Sequence, residues 1–199
     1  MTVGSVVGMN KIHEQLTSAA DEAARVVAGT RPEQFGDKTP CTQWDVKELL
    51  NHLVLWTSYS FERRARSEQV DADLMERDFA SEPDYAARYR DQLDRALAAW
   101  APDEVWSSTI DTGSGQTPAP QIAEMILMEL VLHSWDLATA TGQDYTCRDD
   151  VAATVAKAVA DAAEMYREYD GFAAEVELDA DASAFDRALA VSGRQPAGR

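Results

Sequence analysis

The sequence predicts an all-α protein built as a helix bundle. Two observations support this class: long segments carry apolar residues at helical spacing, and few connections join them, one of which is long. An α/β fold is disfavoured because the chain lacks buried runs of β-branched residues. The predicted helices span residues 9–28, 44–66, 83–100, 118–141 and 149–169.

The first two helices are predicted from apolar stripes and from residues that start or stop a helix. Leu16 lies on the stripe of the first helix, which ends before Gly29. Thr42 is the predicted N-cap of the second helix, with Asp45 as the acidic residue three positions later. The polar stretch 67–82 then forms a linker with room for a short helix.

The later helices follow the same logic. The segment after the third helix is rich in Thr, Gly, Ser and Pro, and it predicts a short strand or an extended turn at Ile110. Pro118 or Pro120 starts the fourth helix, and Gly142 ends it. Gly171 ends the fifth helix. The stripe of the third helix has four-residue spacing and consists of Tyr85, Tyr89, Leu93 and Leu97.

The length of 199 residues predicts one main domain. Residues 1–8 are expected to be a disordered N-terminal tail, and 9–171 the helix-bundle metal-binding domain. Residues 172–199 are expected to form an extended segment and a short helix that pack on the bundle. The extended part is predicted at 175–178 and the short helix at 185–191.

Charge and composition exclude several classes of partner. Against 35 acidic residues the chain has 18 Lys and Arg, which gives a net charge of −17. Such a balance argues against nucleic acid and against an anionic membrane surface, since both are met with basic residues in excess. Two cysteines form no disulfide framework, and no apolar run is long enough to span a bilayer, so a cytoplasmic location is expected.

The fourth helix contains the most informative residues. Apolar residues surround Glu129 and His133 on nearly every side between positions 125 and 137, and a helix that is apolar all round is buried. The pair shares one face, about 6 Å apart along the axis. A buried carboxylate needs a partner, so the pair either chelates a divalent ion or forms a buried ion pair.

The second helix offers a matching group. His52 lies on its apolar stripe, between Leu49 and Trp56. One imidazole here, with a Glu and a His from another helix, makes the three-ligand set of an open zinc site. Helix bundles build metal sites in this way, from side chains on facing helices. The alternative is a structural core histidine, and ExxxH spacing also occurs by chance.

The remaining polar candidates have simpler interpretations. Asp136 is either an acceptor that supports a metal ligand or a surface acid. Cys41 lies eleven residues before His52, roughly 16 Å at helical rise, so it is expected to be a small buried loop residue rather than a ligand of the same ion. His13 is expected at the surface. The three arginines at 63–66 fit a solvated helix C-terminus.

Four segments of the chain resemble a known family. They resemble the DinB/YfiT-like superfamily, most closely the actinobacterial branch related to the N-terminal domain of mycothiol-dependent maleylpyruvate isomerase. The similarity extends over nearly the whole chain. The segments are Thr39–Val46, Glu48–Leu53, His133–Gly142 and Phe185–Arg194.

The resemblance implies an up-down-down-up four-helix bundle with a long crossover connection, a short C-terminal appendage and a divalent metal between helices. It assigns the ligand roles to His52, Glu129 and His133, and zinc is the expected metal, although this donor set suits several ions.

The resemblance also implies metal-assisted thiol chemistry, with mycothiol as co-substrate and a small electrophilic substrate. The chain is then a thiol S-transferase or an isomerase relative, with Asp136, Trp56 and Trp135 supporting or shaping the pocket. The alternative is a non-catalytic metal- or small-ligand-binding bundle, and homodimerisation stays open.

Overall fold

The computed structural model describes residues 3–113 and 115–196, with side chains from residue 11 onwards. The described part is mostly helical, which confirms the all-α prediction. The only strands found in it form the short antiparallel hairpin of β1 (Thr109–Asp111) and β2 (Gln116–Pro118). The helices are α1 (Val3–Gly29), α2 (Val46–Val54), α3 (Ser60–Ala65), α4 (Ala72–Met75), α5 (Tyr85–Ala99), α6 (Asp103–Trp106), α7 (Ala119–Thr141), α8 (Asp149–Glu168) and α9 (Ala184–Val191).

The bundle consists of four long units, which are α1, the rod formed by α2 and α3, α5 and α7. A π-helical stretch, Leu55–Tyr59, joins α2 to α3, so these segments form one rod. α1 and this rod each pack against both α5 and α7. α8 lies against α7 and carries α9. α7 is buried on nearly every side because it contacts α1, α2 and α8, as its apolar sequence predicts.

The start of α2 differs from the prediction. The N-cap is Asp45, not Thr42: the Asp45 carboxylate accepts from the Glu48 N–H at 2.9 Å, and the Glu48 carboxylate accepts from the Asp45 N–H at 3.0 Å. This reciprocal capping box satisfies two free amides at once. The preceding loop is fixed instead by Thr39, whose hydroxyl contacts the carbonyl oxygens of Cys41 and Trp44, both at 2.8 Å.

The start of the chain also differs from the prediction. α1 begins at Val3, so residues 3–8 are helical rather than part of a disordered tail, and residues 1 and 2 lie outside the described residues. Near the other end, residues 175–178 lie outside any helix or strand, and the Val176 N–H donates to the Ala190 carbonyl at 3.0 Å, which ties this segment to α9.

Within the described ranges, no helix combines the length and the apolar character that crossing a membrane requires.

Candidate metal centre

Three side chains from two helices converge inside the bundle. His52 on α2 places Nε2 2.9 Å from Glu129 Oε2, and His133, one turn after Glu129 on α7, places its Nε2 3.2 Å from the same oxygen. One potential ligand atom from each of the three residues lies within 4.8 Å of the other two. The structure therefore brings together the three residues that the sequence selected.

The electrostatics of this group are dominated by opposite charges at close range. Burial acts to raise the pKa of Glu129, but His133 and His52 hold it well below its usual range. Burial acts to lower the pKa of His133, but Glu129 and Asp136 raise it to about 9. At neutral pH and without a cation, the centre thus holds a carboxylate beside a protonated imidazole.

Asp136 contacts the other ring nitrogen of His133, the one that does not face Glu129. Nδ1 of His133 lies 3.1 Å from Asp136 Oδ2. Asp136 is fully buried, and it accepts from Arg194 Nε at 2.8 Å and from Arg194 Nη2 at 2.7 Å. Burial opposes ionisation, but Arg194 and His133 lower the pKa of Asp136. Because Nδ1–H is directed at Asp136, the Nε2 atom faces the centre.

Aromatic rings and a cavity border the other imidazole. Trp44 lies over His52, with ring centroids 4.3 Å apart, and 5.4 Å from His133. The centroid of Trp56 lies 6.5 Å from that of His52. A cavity of about 140 Å³ opens here, lined by His52, Trp56, Arg64, Met125, Ile126 and Glu129. A ligand can approach the centre from this side.

Trp135, predicted at the pocket, and His13, predicted at the surface, both lie elsewhere. Trp135 is 6% exposed and belongs to the hydrophobic core; it lies two residues after His133, about 200° around the helix from it. His13, expected at the surface, is partly buried, and its Nε2 lies 3.0 Å from the Leu97 carbonyl oxygen. The reason is that the carbonyl at the end of α5 provides an acceptor beside α1.

Cys41 lies closer to the centre than its distance along the chain from His52 suggested. The loop before α2 turns back, so that Sγ lies within 4.8 Å of potential ligand atoms of His133 and Asp136. This second cluster suits a cation less well. Both oxygens of Asp136 already accept from Arg194, and burial raises the pKa of the Cys41 thiol.

Sequence reasoning gave Trp44, Arg64 and Arg194 no role at this site, and it assigned Arg64 to a solvated helix C-terminus. Only Arg194 had a usable signal for its contact here. An aspartate inside the most apolar helix needs a buried cationic partner, and Arg194 ends one of the four segments that carried the family resemblance. The positions of Trp44 and Arg64 depend on how the loop and the rod lie against α7.

The residues present fit a divalent cation. Ligand atoms about 2.1 Å from a tetrahedral zinc ion are about 3.4 Å apart. The two N···O separations here, 2.9 and 3.2 Å, need to widen by only a few tenths of an ångström. Two imidazoles and a carboxylate are also ligands that zinc accepts, and the cavity leaves a further position open.

Fold and centre together define an α-helical bundle with a three-residue candidate metal site between its helices. The chain belongs to the family of the mycothiol maleylpyruvate isomerase N-terminal domain, whose family model matches residues 16–138. This membership confirms the resemblance noted in the sequence.

Two relatives from Mycobacterium tuberculosis are the uncharacterized proteins MT0763, from strain CDC 1551 / Oshkosh, and Rv0738, from strain ATCC 25618 / H37Rv. Each is 26% identical over 132 residues, which cover 63% of this chain. The aligned region spans 64% of the length of each relative, slightly less than two thirds.

Solved structures show the same fold. The crystal structure of a mycothiol-dependent maleylpyruvate isomerase superposes with a TM-score of 0.61 at 17% identity, covering 80% of this chain and 72% of that one. A histidine-to-alanine mutant of the isomerase gives a TM-score of 0.60 at 16% identity, with the same coverage of both chains. The DinB/YfiT-like four-helix architecture is thereby confirmed for this chain.

Proposed function

We propose that this protein binds a divalent cation, zinc being the expected one, through His52, Glu129 and His133. We propose further that the centre activates a mycothiol-type thiol toward a small electrophilic substrate. The observation that carries this proposal is the convergence of two Nε2 atoms, at 2.9 and 3.2 Å, on one carboxylate oxygen of Glu129.

The residues around the centre have distinct tasks in this proposal. A bound divalent cation lowers the pKa of a coordinated thiol, which makes the thiolate available near neutral pH. Asp136 holds the Nδ1–H of His133, so that the Nε2 lone pair of this ring stays directed at the centre. Trp44 covers both imidazoles and limits the access of water to them. The cavity beside His52 receives the sulfur of the thiol and the reacting group of its partner.

Proton release accompanies cation binding. In the metal-free protein His133 is protonated at neutral pH, because its pKa is raised to about 9. The Nε2 lone pair of His133 would hold the cation, so this atom would give up its proton on binding. Glu129 would be compensated in both states, by protonated His133 without the cation and by the cation when it is bound.

Family membership supports the thiol part of the proposal. The family is named for a mycothiol-dependent isomerase domain, and the isomerase shares the fold of this chain. Within the proposal the enzyme is a metal-dependent thiol S-transferase or an isomerase relative, and homodimerisation stays a prediction. The alternative is a bundle that binds metal or a small ligand without catalysis.

Metal analysis of protein purified without an affinity tag tests the first part. After equilibration with zinc and dialysis, the wild type is expected to retain a stoichiometric amount of metal, whereas His52→Ala and Glu129→Gln retain none. His13→Ala is the matched control, because it removes the third histidine of the chain, which bonds to Leu97 instead. A wild type that takes up no zinc from excess contradicts the proposal and leaves a buried ion pair.

Thiol turnover tests the second part. Zinc-loaded wild type and His13→Ala are expected to accelerate the consumption of mycothiol by chlorodinitrobenzene or another electrophile, and His52→Ala is expected to lose this acceleration. Metal uptake without thiol-dependent turnover across a panel of electrophiles contradicts the catalytic part and supports the binding alternative.

A further inference from the structure

The basic cluster at the end of α3 separates into two kinds of residue. Arg63 pairs with Asp71 at 2.6 Å, and Arg66 pairs with Glu62 at 2.6 Å. Arg64 forms no ion pair or side-chain hydrogen bond with any of the side chains that the structure describes. A solvated helix terminus therefore explains two of the three arginines but not Arg64.

Arg64 faces the candidate metal centre. Its Cζ lies over the ring of Trp56, 5.8 Å from the centroid. It lines the cavity of about 140 Å³ that His52 and Glu129 also line. Arg64 also lines a second cavity of about 110 Å³, together with Trp56, Ser60, Glu68 and Asp111. Of the two cavities, only the one beside His52 is lined by the ligand residues, and it has one carboxylate, Glu129, which is already paired.

Arg64 forms no ion pair with the centre. Burial lowers the pKa of Arg64, and the nearby Glu129 opposes this. Glu129, however, makes its ion pairs with His52 and His133. A cation that is partly withdrawn from water without a partner costs free energy, and an anion that enters the cavity offsets this cost.

We propose that Arg64, stacked on Trp56, is an anion-binding subsite that holds a carboxylate of the substrate beside the metal ligands. This inference rests on the proposed function, because it adds the charge class of the substrate to the same site. A carboxylate fits for two reasons. Its two oxygens match the fork of one guanidinium, and the cavity beside His52 holds only about four or five water-sized groups.

A comparison of charged and neutral ligands tests the subsite. Succinate and its neutral diamide have the same carbon skeleton, and their affinities are measured by calorimetry on zinc-loaded and on EDTA-treated protein. The wild type is expected to prefer succinate by about 10-fold or more, as for a charge-assisted hydrogen bond. Because the net charge of −17 repels anions overall, such a preference requires a local cation.

The variants locate that cation. Arg64→Gln is expected to abolish the preference for succinate, Arg64→Lys to retain part of it, and Arg66→Gln, from the same cluster, to retain all of it. Equal affinity of the wild type for both ligands, or an undiminished preference in Arg64→Gln, overturns the inference.

Zinc content, measured on the same samples, separates the two proposals. Equal zinc uptake by Arg64→Gln and the wild type is expected, because Arg64 is not a ligand. If the wild type binds no zinc, the proposed function fails, and the succinate preference of the EDTA-treated protein still decides the anion subsite.

Discussion

The two sides of Glu129 are built in opposite ways. On the His133 side, every charged group has a buried partner: His133 contacts Asp136, and Asp136 is held by both ends of the Arg194 fork. On the His52 side, a cavity opens and the guanidinium of Arg64 has no ion-pair partner among the described side chains.

The closed side holds its residues in fixed positions, whereas the open side has room for a ligand. Paired charges in a dry interior have one arrangement of low energy, and they fix the His133 ring. An unpaired cation beside a cavity can form an ion pair with an anionic group of a molecule that enters the cavity. Under the proposed function, we therefore expect the closed side to govern stability and metal affinity, and the open side to govern the choice of ligand.

The largest effect is expected on the closed side. Arg194→Met leaves Asp136 buried without its cation, and we expect the free energy of unfolding to fall by about 3–5 kcal/mol in chemical denaturation. Arg66→Met, which removes a partly exposed ion pair, is the control and is expected to cost about 1 kcal/mol or less. Combining Asp136→Asn with Arg194→Met removes both charges and keeps an acceptor oxygen for His133 Nδ1–H, so it is expected to restore part of the loss. A double variant as unstable as Arg194→Met would contradict this account.

Metal affinity tests the same side more finely. Asp136→Asn keeps the shape of the side chain but removes the charge that orients His133. Affinity for zinc, measured by competition with a chelator, is expected to fall by about 10–100-fold. Asp103→Asn, on an exposed part of α6, is the control and is expected to leave the affinity unchanged. An unchanged affinity in folded Asp136→Asn would mean that Asp136 does not orient the ring.

The protonation of His133 predicts opposite pH trends for stability and metal affinity. Its pKa is raised to about 9, so the stability it gives to the metal-free protein is complete below about pH 6.5 and is lost as the pH rises through about 9. Zinc competes with the same proton, so zinc affinity is expected to rise by about tenfold per unit between pH 7 and pH 9.

Denaturation and chelator competition across this pH range measure both trends. His133→Gln is expected to lack the stability trend, whereas His13→Ala is expected to keep both. The interpretation fails if the stability of the EDTA-treated wild type is constant from pH 7 to pH 10.

The smallest effect is expected from the thiol nearest the centre. Cys41→Ser is expected to change zinc affinity by less than about threefold, which is less than about 0.7 kcal/mol. Burial raises the pKa of Cys41, and the oxygens of Asp136 are occupied by Arg194, so this cluster does not compete for the cation. A loss of zinc binding in Cys41→Ser would move the metal site to Cys41, His133 and Asp136.

Sequence reasoning reached much of the fold because the relevant signals are local. Proline and glycine bounded the fourth predicted helix, and α7 spans Ala119–Thr141, close to the expected limits. The N-cap of α2 was placed on Thr42 instead of Asp45, because two acceptable capping sequences overlap there and only the geometry of the loop selects one. The exact start of such a helix depends on which side chain hydrogen-bonds to the free backbone amides, and the sequence alone does not show which candidate does so.

Local signals in the chain were sufficient to predict the bundle, the burial of α7 and the shared face of Glu129 and His133. Helical periodicity relates residues of one helix directly, and a carboxylate in an apolar helix demands a partner. Three contacts are visible only in the folded chain: Arg194 holds Asp136, Cys41 returns to His133, and Arg64 lines the cavity. These contacts join elements distant in sequence, and they depend on the rotation of each helix and the path of each loop, which spacing along the chain does not specify.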